Sequence, residues 1–175
     1  MRELLGLFFD IALSRRGPQD VPASPLLLVI TSVCYFAVSF GANWLVAPVG
    51  SWWWLLFIDL GFSLVWYATL LRLFSKPERF LQTAIAVFGY KIVLEPPLFA
   101  VMALARGFSD DTPWRFPVAI LGLLLIFLLI RAGSYVLKAA LELPIVACIA
   151  LVFAEFFATQ FVLFAFMPPT ALTPT

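Results

Sequence analysis

Apolar residues in this chain come in runs of about twenty, the length that crosses a lipid bilayer as a helix, separated by short polar or proline-bearing breaks. The first segment has a different rhythm. Across residues 2–16, Glu3, Gly6, Asp10 and Ser14 form a narrow polar stripe at helical spacing, Leu4, Leu5, Phe8, Phe9, Ala12 and Leu13 lie away from it, and Arg15 and Arg16 close it. This predicts an amphipathic helix, either interfacial with its apolar face towards lipid or packed on the other helices or on a partner. Gly17-Pro18-Gln19-Asp20-Val21-Pro22 cannot continue a helix, and Ser24-Pro25 starts the next with proline at its first position. Five membrane-spanning helices follow, over 25–46, 52–74, 80–105, 117–136 and 143–167. The turns fall at Pro48-Val49-Gly50, at Ser75 to Arg79, at Arg106 to Arg115 and at Lys138 to Glu142. Trp52, Trp53 and Trp54 open the second span as an interfacial aromatic belt. The expected fold is an all-α membrane protein: an interfacial helix and loop over 1–22, then a five-transmembrane-helix bundle over 23–175.

Composition sharpens this reading. Of the 175 residues, 63% are apolar and only 12% are charged, whereas a soluble domain is about 25% charged. Mean hydropathy is +1.05. Too little polar surface exists to cover a soluble fold of this size, and no segment between the runs is long enough for a separate domain. The net charge of +1 and the lack of a basic stripe exclude nucleic acid as a partner. Lysine and arginine are distributed unevenly about the spans. Arg2, Arg15, Arg16, Arg72, Lys76, Arg79, Arg131 and Lys138 fall on the amino-terminal side, and Arg106 and Arg115 on the other. By the positive-inside bias the amino terminus is cytoplasmic and the carboxyl terminus outside, in a bacterial inner membrane.

Four ionisable residues fall within the spans: Asp59, Lys91, Glu95 and Glu155. Each costs roughly 2.5–3.5 kcal/mol near the bilayer centre on insertion scales, so each needs a partner or a task. Fully ionised they sum to minus two, which predicts that a carboxyl holds a proton. Lys91 and Glu95 lie four residues apart on one helical face and are placed to neutralise each other. Pro96 and Pro97 follow directly and deprive the carbonyls of Ile92 and Val93 of their helical donors, predicting a kink beside the charged pair. Arg131 is close enough to its span end to reach the headgroups through its stem.

Chemistry of other kinds is poorly supplied. The chain contains no histidine, which removes His-ligated metals, bis-histidine haem and a Ser-His-Asp relay. Cys34 and Cys148 sit singly in apolar runs and read as packing residues. No HExxH, GxSxG, GxGxxG or P-loop motif occurs. No catalytic, cofactor-binding or metal-ligating residues are assigned, and an enzyme is not expected.

Phe88-Gly89-Tyr90-Lys91 with Pro96-Pro97 behind it, on a five-span layout with a cytoplasmic amino terminus, resembles the Gly-Tyr segment and following proline of the Yip1-domain membrane proteins. The segments at 15–25, 79–84 and 141–144 are similar to those of small proteobacterial membrane proteins of this general kind. The resemblance implies a non-catalytic helper of membrane trafficking or assembly. Three functions follow as expectations. The first is a non-catalytic scaffold, accessory subunit or assembly factor that binds membrane lipids and other membrane subunits or copies of itself. The second is a small proton-coupled transporter or channel using Lys91, Glu95, Glu155 and Asp59, which requires those side chains to converge on a wet cavity. The third is a lipid-binding, membrane-organising protein.

Overall fold

The computed structural model of the protein describes residues 2–46, 53–108 and 112–166, and over these the chain is all-α. The helices are α1 (Arg2–Ala12), α2 (Pro25–Val46), α3 (Leu55–Leu73), α4 (Phe80–Arg106), α5 (Arg115–Leu141) and α6 (Ile145–Ala165). Single 3-10 turns at Pro18–Asp20 and Pro77–Arg79 precede α2 and α4. Among the described residues, α2 to α6 are five helices long and apolar enough to cross a membrane. The predicted turn at 48–50, Trp52, Asp110 and Asp111, and the tail from 167 onward lie outside the described residues.

The bundle is built around α4. Every residue from Thr83 to Tyr90 is buried, so this stretch is covered on all sides. It packs against α2 and α5 along its flanks and against α1, and touches α3, while α6 closes the bundle against α5 and α3. The outward faces of α5 and α6 carry Phe116, Leu123, Phe127, Phe157 and Phe161, all more than half exposed. Contiguous apolar surface of this extent is matched by lipid, not by water.

One end of the bundle gathers the basic residues. There Lys76 pairs with Glu142, and Arg79 Nη2 reaches Glu142 Oε1 at 2.7 Å. Arg79 Nη1 donates to the carbonyls of Ala139 and Ala140, both at 3.1 Å. It thereby caps the last turn of α5, whose carbonyls have no helical donors. Gln82 Nε2 donates to the Val21 carbonyl at 3.1 Å, fastening the loop after α1 to α4. Together these contacts tie the ends of α3 and α5 and the start of α4 to one layer.

Of the two placements predicted for the first helix, α1 takes the packed one. Leu7, Phe8, Ile11 and Ala12 are buried against α4 and α5, while Leu5 and Phe9 remain exposed along its edge. The contact is close because α4 presents Gly89 to it: a Cβ there would meet the Phe8 ring at 2.2 Å. The helix is also shorter than predicted. It ends at Ala12 because Ser14 turns left-handed (φ 58°) and the amide of Arg15 bonds back to the Asp10 carbonyl, an ending usually made with glycine.

Other boundaries move for similar reasons. The turn predicted from Lys138 is absent: α5 runs through Lys138, Ala139 and Ala140, good helix formers with the lysine on the exposed side. It stops where Glu142 goes left-handed, and Pro144 then precedes α6. The same extension places Arg131 deeper than predicted, about 15 Å of helix from the end of α5. It is exposed there. In the middle of α4, Pro96 and Pro97 do not interrupt the helix, which continues from Phe80 to Arg106.

Candidate functional site

Four helices deliver polar side chains to one place because those residues recur at helical spacing on their inner faces. Thr31, Tyr35 and Ser39 are spaced by four along α2, as are Asp59, Ser63 and Tyr67 along α3. Lys91 and Glu95 come from α4, and Glu155 and Thr159 from α6. With a rise of about 1.5 Å per residue, Tyr35, Lys91 and Glu155 all lie roughly 15 Å from the basic ends of their helices. Ser39, Asp59 and Glu95 lie about one turn further on.

The four ionisable residues singled out from the sequence all enter this cluster. Tyr35 Oη donates to Asp59 Oδ2 at 2.8 Å, joining α2 to α3. Ser39 Oγ donates to Glu95 Oε2 at 2.9 Å, joining α2 to α4. Lys91 Nζ lies 3.7 Å from Glu155 Oε1, joining α4 to α6, and stands 5.7 Å from the centre of the Tyr35 ring, within cation–π range. Tyr67 donates a short hydrogen bond to Glu155 Oε2, joining α3 to α6. The Tyr90 hydroxyl fits against α5 because residue 133 is glycine: a Cβ there would come within 2.8 Å of it. The ring of Tyr35 stacks on Phe88 at 5.1 Å, which holds its hydroxyl towards Asp59.

One expected contact is replaced. Lys91 makes its ion pair with Glu155 across the bundle and not with Glu95, its neighbour four residues along, whose carboxyl takes the Ser39 hydroxyl. The i,i+4 rule describes exposed helices, where only the same helix offers partners. Inside a bundle the facing helices compete, and the lysine-before-glutamate order is the weaker one along a helix.

Burial is uneven. Glu155 is 6% exposed, whereas Asp59, Lys91 and Glu95 are half-buried. The outer half of α4 is more open, with Pro96, Pro97, Ala100 and Leu104 exposed. Two surface grooves flank the bundle. One, lined by Ala100, Ala103, Leu104, Gly107 and Phe108, follows this part of α4; the other, apolar, separates α2 from α3 at Phe36 and Phe57. Neither is lined by the charged residues of the network.

Sequence reasoning missed Tyr35, Ser39 and Tyr67, and it met Tyr90 only within the segment Phe88-Gly89-Tyr90-Lys91. Hydroxyl-bearing residues hardly disturb an apolar run, so only their spacing of four along α2 and α3 could have drawn attention to them. Among the described residues, no group of histidine, cysteine, aspartate and glutamate is arranged to hold a metal ion. Compared with protein-family models, curated proteins and solved structures, the chain finds no match.

Proposed function

We propose that this is a small proton-coupled transporter or channel whose proton-binding centre is the network of Lys91, Glu95, Glu155 and Asp59; the four side chains converge as that reading requires, but neither groove reaches them, so the path between them runs through polar groups and not through an open cavity. The observation that carries the reading is the convergence of three carboxyl groups and one ammonium group inside the bundle, each carboxyl taking a hydrogen bond from a hydroxyl of a facing helix and Glu155 also facing Lys91. A purely structural ion pair matches its charges one to one. Here one cation faces three carboxyls, so charge balance in a low-dielectric bundle requires bound protons. A tyrosine or serine hydroxyl, able to donate and accept, stands against each carboxyl and supplies a step for proton transfer.

The rest of the fold suits this role. In the orientation that the basic end implies, the amino terminus faces the cytoplasm of a bacterial inner membrane. Helix α1, with Phe8 seated on Gly89 beside Tyr90 and Lys91, separates the network from that side. The freed carbonyls of Ile92 and Val93 weaken α4 locally beside Glu95, where a helix can flex. Proton access from the opposite side runs past half-buried Glu95 and Asp59.

The test is proton flux into proteoliposomes under an imposed membrane potential, followed with a lumenal pH dye. Wild type should acidify the lumen faster than protein-free vesicles. Glu155→Gln and Glu95→Gln should each abolish the difference while the protein still inserts and unfolds cooperatively. Unchanged flux in both variants would remove the network from any transport role.

A second reading, an accessory subunit of a larger membrane complex, is favoured by the exposed groove along the outer half of α4. Ala100, Ala103 and Gly107 permit close approach of another helix. It is also the reading that the likeness of Phe88-Gly89-Tyr90-Lys91 to Yip1-domain proteins implies. Native mass spectrometry after gentle extraction separates the two: other subunits in fixed ratio favour the accessory role, and a lone chain or homo-oligomer favours the transporter.

A further inference from the structure

The network holds two fully enclosed polar atoms with no hydrogen-bond partner in the protein: Ser63 Oγ and Glu155 Oε1. Ser63 is 0% exposed and Glu155 is 6% exposed. Leaving such a group unsatisfied costs about 1–3 kcal/mol, so native structures seldom do so. Glu155 Oε1 also marks the widest step in the network, since Lys91 Nζ stands 3.7 Å from it, beyond direct hydrogen-bonding distance, where a bridging molecule is the usual resolution.

Helix geometry places the two residues at one depth in the bundle, since Ser63 and Glu155 each lie about 15 Å along the helix from the basic end. Ser63 is one turn from Tyr67 on the same face of α3, towards the helix amino terminus. Side chains in a helix lean towards that terminus, so Tyr67 leans over the turn that carries Ser63, and it is Tyr67 that grips the other oxygen of Glu155. Asp59, one turn beyond Ser63, continues the same face to Tyr35.

We infer that an internal water molecule binds between Ser63, Glu155 and Lys91, and that it joins the network into one proton-conducting chain. The partners suit water and little else. A carboxylate oxygen accepts, an ammonium group donates, and a hydroxyl does either, which supplies the two to four polar partners that a buried water requires. The ammonium group disfavours a metal cation at this point. Without the water, the network falls into an outer part (Asp59, Tyr35, Ser39, Glu95, with Lys91 over Tyr35) and an inner part (Glu155 and Tyr67). With it, a proton passes from the outer carboxyls to Glu155 in a balanced relay: the water gives one proton to Glu155 as it takes one from the Lys91 ammonium group, and the neutral amine left on Lys91 takes the proton held by the outer carboxyls, so that water and lysine end unchanged.

This inference deepens the transport reading, but the binding site itself is tested without it. A high-resolution structure of the full chain in a lipidic mesophase should show a water peak within hydrogen-bonding distance of Ser63 Oγ and Glu155 Oε1. Ser63→Ala should lose or displace that peak and, in proteoliposomes, slow proton flux about tenfold, whereas Ser32→Ala in the same vesicles should not. Absence of the peak in the wild type overturns the site. A peak and a flux that both survive Ser63→Ala overturn the linking role. A wild type that shows the peak but carries no protons leaves the site standing and sinks only the transport reading. If Ser63→Ala folds poorly, Ser63→Thr, which keeps the hydroxyl, should retain both peak and flux.

Discussion

Two clusters of charge stabilise this bundle in different ways. At the basic end, Lys76, Arg79 and Glu142 meet where water and salt reach them; Glu142 is more than half exposed. In the middle, Lys91 and Glu155 meet with side chains 16% and 8% exposed. Both are ion pairs on paper. In the first, solvent screens the attraction and replaces any lost partner. In the second, neither happens, so the partners depend on each other and their protonation becomes part of the structure.

The largest expected effect comes from breaking the inner pair. Lys91→Leu leaves Glu155 buried without its cation and should cost about 3–5 kcal/mol in reversible unfolding in mixed micelles. Adding Glu155→Leu should return most of that loss, since a buried pair replaced by apolar residues is often neutral. If the double variant is no more stable than the single one, the two residues are not partners.

Next is the seat of α1. Gly89→Val should cost about 1–3 kcal/mol, because the added side chain collides with the Phe8 ring. Phe8→Ala in the same chain should relieve the collision, though not the lost burial. Equal stability of wild type and Gly89→Val would mean that α1 does not rest on α4.

Tyr35→Phe removes the donor to half-buried Asp59 and should cost about 1 kcal/mol. Its effect should be the same in low and high salt. That insensitivity separates it from the cluster at the basic end.

The smallest effect belongs to Glu142. Hydrogen bonds from Lys76 and then Arg79, together with their charges, hold its carboxyl below the ordinary glutamate value. A carboxyl lowered in the folded state stabilises above its unfolded pKa and loses that contribution as pH falls through the folded value. The wild type should therefore lose a small increment on acidification through and below the usual carboxylate range. Glu142→Gln should lack this increment, and high salt should shrink it. A pH dependence of equal size in Glu142→Gln would place the titration elsewhere.

The contrast also shows what could be read from sequence. The five spans were legible because each apolar run is as long as a bilayer is thick, and α2 was bounded correctly by Pro25. Asp59, Lys91, Glu95 and Glu155 were legible because a charge in such a run is conspicuous. The partner of Lys91 was not, since Glu95 is its neighbour along the chain and Glu155 is its neighbour only after folding. Nor were Tyr35, Ser39 and Tyr67, whose hydroxyls barely alter hydropathy. The packing of α1 was one of two readings, and what favours it, a glycine opposite a phenylalanine 81 positions away, leaves no local trace. Helix ends moved at Ser14 and Glu142 because both turn left-handed with ordinary side chains, where glycine would have been the visible signal.

The account rests on the claim that the inner network binds a proton that comes and goes. The most direct measurement is infrared difference spectroscopy of the reconstituted protein between acidic and alkaline pH, with carboxyl groups labelled by ¹³C. The account predicts a protonated carboxyl band, shifted by the label, that disappears as pH rises in the wild type and is altered or absent once the network carboxyls are replaced together (Asp59→Asn, Glu95→Gln and Glu155→Gln). A wild-type spectrum with no titrating carboxyl beyond those of Glu3, Asp10, Asp20, Glu78, Asp110, Asp111 and Glu142, unchanged when the network carboxyls are replaced, would contradict it.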